Sequence, residues 1–139
     1  MAITAEAITD SMLASMKSAD HGNRPYSHWF LSSCLPEEAI VATQNVPFEA
    51  PELEGLSGKR ELHNKTRTYF DAQNMERFPV CKALNEAFQS ERLTKAIADH
   101  FNTDINGSFL RVEYAQDIEG FWLEPHTDLG VKLFTMLLY

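Results

Sequence analysis

His126 and Asp128 stand one residue apart in Gly120-Phe121-Trp122-Leu123-Glu124-Pro125-His126-Thr127-Asp128. An imidazole nitrogen and a carboxylate are both donors to a divalent transition metal. In an extended strand, residues i and i+2 point to the same face, so this spacing aims both donors at one point. Together they make two thirds of a 2-His-1-carboxylate facial triad, the arrangement that holds ferrous iron with positions left open. A bare His-x-Asp is a weak signal, and most chains that carry one use it in a surface loop. Here the context adds to it. An apolar run leads in, and a second, Val131-Lys132-Leu133-Phe134-Thr135-Met136-Leu137-Leu138-Tyr139, follows.

The elements that must position this pair can be read along the chain. Residues 4–18 predict a helix, with Thr4 as its cap and Ile8, Met12 and Met16 at helical spacing, packed on the outside of the domain. Residues 18–25 carry turn chemistry. Tyr26-Ser27-His28-Trp29-Phe30-Leu31 predicts a strand, and Leu35-Pro36-Glu37-Glu38 opens a helix with Pro and acids in its first turn. Residues 47–58 read as a loop. Lys65-Thr66-Arg67-Thr68-Tyr69-Phe70 alternates and predicts a strand. Residues 78–88 and 91–101 predict two helices broken near Ser90. Residues 108–114, 121–126 and 131–139 predict strands. Helices first and strands last suggest an α+β domain with helices on one face of a mainly antiparallel sheet or barrel.

Composition bounds the function. A chain of 139 residues suggests one domain, and 44% hydrophobic with 11% aromatic residues is enough for a true core. A net charge of −8 argues against a nucleic-acid surface. No apolar run is long enough to span a bilayer, and the first residues lack the basic and apolar regions of a secretion signal. The expectation is therefore a cytoplasmic protein without nucleic-acid or membrane partners. Cys34 and Cys81 lack metal-ligand spacing and read as reduced thiols.

Several of these stretches, taken in order, resemble the Fe(II)- and 2-oxoglutarate-dependent oxygenases, in particular the prolyl-4-hydroxylase-like branch. Pro25-Tyr26-Ser27-His28-Trp29-Phe30 followed by Leu35-Pro36-Glu37-Glu38 is similar to that branch's opening strand and helix. Phe109-Leu110-Arg111-Val112-Glu113-Tyr114 is similar to the strand before the metal motif, Pro125-His126-Thr127-Asp128 to the motif, and residues 133–139 to the strand after it. The resemblance spans residues 25–139 and is strong only from 108 onward. It implies a double-stranded β-helix (a cupin-like jelly-roll) with supporting N-terminal helices. It divides the domain into residues 1–24 (helix and linker), 25–107 (helical support) and 108–139 (the start of the β-helix core). It also implies that His126 and Asp128 ligate Fe(II), that Tyr139 contacts the 2-oxoglutarate carboxylate, and that Tyr114 lines the pocket. The co-substrates would be 2-oxoglutarate and O2, and the substrate a peptide or small molecule.

The resemblance also calls for a second His, and beyond it a basic residue for the distal carboxylate, and the chain stops before either. It stops inside an apolar strand as well. The expectation is an apparently truncated domain, inactive and unstable alone, that a companion C-terminal segment would complete. His21, His28, His63 and His100 could supply a ligand in principle, but each is better explained as a surface or capping residue. Glu124 is a candidate support for the site, Phe121 and Trp122 could wall a cavity, and Arg67 could meet an anionic substrate or pair with a surface acid. A non-catalytic β-helix binding module and a structural zinc site are the alternatives.

Overall fold

Three helices with complementary apolar stripes hold the chain together. The computed structural model describes residues 3–52, 58 and 67–139. In chain order the elements are α1 (Ala5–Lys17), β1 (Asp20–Gly22), β2 (His28–Phe30), α2 (Glu37–Gln44), β3 (Thr68–Tyr69), α3 (Ala72–Arg77), α4 (Pro79–Gln89), α5 (Glu91–Phe101) and β4 (Glu113–Tyr114).

Helix α1 begins where Thr4, in extended conformation, accepts the Ala7 N–H on its side chain at 3.1 Å. Glu6 in the first turn and Lys17 in the last oppose the helix dipole. Ile8, Met12 and Met16 recur every fourth residue and so form one stripe. All three are buried, and α1 packs against both α4 and α5. The helix expected on the outside is thus the centre of the core. Helices α4 and α5 share Ser90 as a joint. It ends α4 in an extended conformation, and its hydroxyl accepts the Leu93 N–H at 3.3 Å to start α5. Pro79 sits in the first turn of α4, where its missing N–H costs nothing. Asn102, left-handed at φ 49°, stops α5.

The core has two parts. Ile8, Ala39, Phe70, Val80, Cys81, Ala83, Leu84 and Ala87 form the first, and Met12, Met16, Leu93, Ile97 and Phe101 the second. Asn85, buried in α4, donates from Nδ2 to the Phe70 carbonyl at 3.1 Å and accepts from Gln89. It pins the end of β3 to the helices through a buried hydrogen bond.

The double-stranded β-helix is overturned. Among the described residues there are two sheets of two strands each: β1–β2, antiparallel with His21 opposite Trp29, and β3–β4, antiparallel with Thr68 opposite Tyr114. Of the expected strand over residues 108–114, Glu113 and Tyr114 form the ladder, and the Val112 carbonyl continues it by accepting the Phe70 N–H at 3.1 Å. Residues 121–126 and 131–139 form no ladder. Of the strand expected over residues 65–70, Thr68 and Tyr69 pair, while Lys65 and Thr66 lie outside the described residues. The physical reason is visible in residues 131–137. Lys132, Phe134 and Met136 are half-buried, while Val131, Leu133, Thr135 and Leu137 are exposed. Phe134 and Met136 pack on the second core part, with the Phe134 ring stacked on Phe101 at 5.1 Å. Period-2 alternation reports one buried face, and here side chains of a helix bury it rather than a second sheet. Among the described residues no helix is long and apolar enough to cross a membrane.

Cys81 is fully buried, and burial pushes its thiol pKa up from 9.0 to about 11, against a smaller opposing effect of a backbone hydrogen bond. Two outcomes are expected. At pH 8 a maleimide labels the half-buried Cys34 and spares Cys81 until the chain unfolds. Because the folded pKa lies above the unfolded one, this group's contribution to stability is complete below pH 9 and is lost as pH rises toward 11. Equal labelling of both thiols under native conditions would overturn this.

Candidate metal-ligand site

The segment that carries His126 and Asp128 lies outside any ladder, and both residues are exposed. It is fixed from both sides. Upstream, the Glu124 N–H donates to the Gly58 carbonyl at 3.0 Å. Downstream, Phe134 stacks on Phe101, and the Thr103 hydroxyl donates to the Leu133 carbonyl at 3.3 Å. Between these points the Lys132 N–H donates to the Leu129 carbonyl at 2.9 Å and closes a turn.

His126 Nδ1 lies 2.9 Å from the Glu124 carbonyl oxygen. A carbonyl has no proton to give, so Nδ1 carries the hydrogen. In the neutral ring this leaves Nε2 as the lone-pair donor, the state in which ligating histidines are held by a carbonyl behind them. Glu124, expected as a side-chain support, therefore serves through its backbone. Asp128 is held at both oxygens: Oδ1 accepts from Lys132 Nζ at 2.8 Å, and Oδ2 accepts from the Thr135 hydroxyl at 2.9 Å. The Lys132 ammonium stands where a cation is attracted to that carboxylate, so a metal at Oδ1 must displace it or share the oxygen.

A test of fit for iron therefore has a split result. The donor types match, one imidazole with Nε2 as its lone-pair atom and one carboxylate. Among the described residues, though, no three His, Cys, Asp or Glu side chains converge. The other histidines are engaged in packing. His21 stacks on Trp29 at 4.4 Å, and His28 lies edge-on to Tyr26 and Phe30, its Nδ1 making the same bond to a carbonyl two residues back, that of Tyr26 at 2.8 Å, as His126 makes to Glu124. His100 meets Phe101 edge-on, and His63 lies outside the described residues.

The remaining expected residues disperse. Tyr114 turns toward the first core part, its ring edge-on to Phe48 at 5.3 Å, and Tyr139 is fully exposed. Arg67 binds Glu113 with both Nε and a terminal nitrogen at 3.0 and 3.1 Å, a clamp across β3 and β4 rather than a hand for substrate. Trp122, half-exposed, lies against Gly58. A groove of about 580 Å³ between α1 and α5, lined by Asp10, Leu13, Met16, Arg92 and His100 among others, includes none of the expected site residues.

No family model, no curated protein and no solved structure matches this chain.

Proposed function

We propose that His126 and Asp128 are two of the three protein ligands to ferrous iron in a 2-oxoglutarate-dependent oxygenase acting on a peptide or small molecule. The observation that supports the reading is the Nδ1–H hydrogen bond from His126 to the Glu124 carbonyl, which in the neutral ring leaves Nε2 as the lone-pair nitrogen. Asp128, two residues on and already paired with a cation, supplies the charge. The third ligand is assigned outside the described residues. When bound, iron with 2-oxoglutarate and O2 would supply the oxidising chemistry, which belongs to the cofactor. This chain's residues would orient the two ligands, with the Glu124 carbonyl placing the ring hydrogen at Nδ1 of the neutral imidazole. Release of the Lys132 ammonium from Asp128 would accompany metal entry.

The test is consumption of 2-oxoglutarate by the intact protein supplied with Fe(II) and O2, read as succinate formed. Succinate that vanishes on chelation supports the reading. Failure to form succinate overturns it, and zinc retained through purification in that case would identify the structural zinc alternative.

A further inference from the structure

We propose that residues 131–139 are the interface of a homodimer, in which they pair edge to edge with the same residues of a second copy, antiparallel and centred on Thr135. The proposal is independent of the iron reading. Burial alternates from Val131 to Leu137 as in an extended strand, and the inner residues Phe134 and Met136 pack on the second core part. The outer row, Val131, Leu133, Thr135, Leu137 and Tyr139, is exposed, and all but Thr135 are apolar or aromatic. Proteins blunt such an edge with charge or proline. Here Lys132 is the one charged residue from Val131 to Tyr139, and Asp128 holds it at 2.8 Å.

The backbone selects the edge. Successive residues of a strand present N–H and C=O to opposite edges. On the odd-numbered edge the Leu133 carbonyl accepts from the Thr103 hydroxyl at 3.3 Å, so that edge faces the chain itself. On the even-numbered edge, Phe134, Met136 and Leu138 have no backbone hydrogen bond among the described residues. Pairing there about Thr135 lets Phe134 exchange both bonds with Met136 of the second copy, and the two-fold axis repeats the exchange. The same register sets Val131 opposite Tyr139, Leu133 opposite Leu137 and Thr135 opposite itself, in the close, non-hydrogen-bonded pairs. Aromatic on β-branched and threonine on threonine are pairs that stabilise an antiparallel ladder, and the leucines cover each other's exposed surface. The row is complementary to its own reverse, the condition for an isologous contact that closes at two copies. Each Asp128 comes to the axis with Thr135 and brings its own Lys132, so the two carboxylates do not meet as bare charges.

The experiment is sedimentation equilibrium of the full chain from micromolar to millimolar concentration, with amide hydrogen exchange beside it. The unmodified chain should reach twice its single-chain mass and no more, with the Phe134 and Met136 amides protected in the dimer. Leu133→Glu, at an exposed position and checked for fold by circular dichroism, sets a carboxylate against Leu137 at both symmetry-related pairs. It should weaken the dimer about 10-fold. Leu137→Lys added to the same chain sets Lys opposite Glu at both pairs and should restore most of the affinity, which in-register parallel pairing would not do. A single-chain mass at every concentration overturns the proposal, and so does growth beyond two copies. A dimer that Leu133→Glu leaves untouched, or that the added Leu137→Lys fails to restore, overturns it as well. Protection of Phe134 and Met136 at single-chain mass would give the edge to another segment of this chain and overturns self-pairing.

Discussion

Leu93→Ala lowers the stability of the folded chain by about 3 kcal/mol, within the range for a buried leucine whose surroundings cannot collapse. Leu93 has no exposed surface and sits between Met12 and Met16 of α1 and Ile97 and Phe101 of its own helix. Its removal leaves a cavity lined by two rigid helices, and neither can close on it without breaking contact with α4. The measurement is a urea midpoint followed by circular dichroism, with Leu93→Met as a volume-conserving control that should cost less than about 1.5 kcal/mol. A loss below 1 kcal/mol in the alanine variant would mean that α1 and α5 are not packed as described.

The helical part of this core was legible because its signals are local. Ile8, Met12 and Met16 mark a stripe, and Pro79, Ser90 and Asn102 mark ends, all within one or two turns of the residues that they organise. Helix α3, Ala72–Arg77, was not foreseen. Its residues are largely polar and none is buried, so no stripe announces it; Asp71, which accepts the Asn74 N–H at 2.9 Å, was its one available sign. The C-terminal strands failed for the opposite reason. Their alternation is real, but a ladder needs a partner, and no local pattern says whether Phe134 will face a sheet or the ring of Phe101. At the candidate site, the spacing of His126 and Asp128 was readable, whereas the hold of Gly58 on Glu124 spans 66 positions and leaves no periodic trace. Glu124 reads in the sequence as a carboxylate, and its contribution is a carbonyl.

Asp128→Ala should abolish Fe(II)-dependent 2-oxoglutarate turnover and Co(II) binding in the intact protein while leaving the fold unchanged. The carboxylate is 42% exposed, and its pairing with Lys132 is a surface interaction worth less than about 1 kcal/mol. The Thr135 hydroxyl loses its bond to Oδ2 as well, so the fold of the variant is checked beside its activity. The substitution also leaves the Lys132 ammonium without this partner beside the vacated position, a positive charge that opposes any cation there. His126→Ala should match it in turnover, because each variant leaves too few donors to hold the metal against water. Circular dichroism and succinate release separate the two effects. Full turnover in Asp128→Ala would reject its assignment as a ligand.

Helix α1 contributes Ile8 to one part of the core and Met12 and Met16 to the other, and its packing partners lie at residues 79–101. During synthesis Trp29, Leu31, Cys34 and Ala39 are the first residues of this core to follow the helix, and α4 and α5, the helices that pack on it, come long after. At about 5–20 residues per second, the interval from Lys17 to Phe101 lasts roughly 4–17 s. Through that time the methionine-lined stripe lacks its helical partners and is open in part to water, and to any chaperone that recognises nascent apolar helices. The chain cannot settle its core in stages from the first residues onward; it must wait for α5.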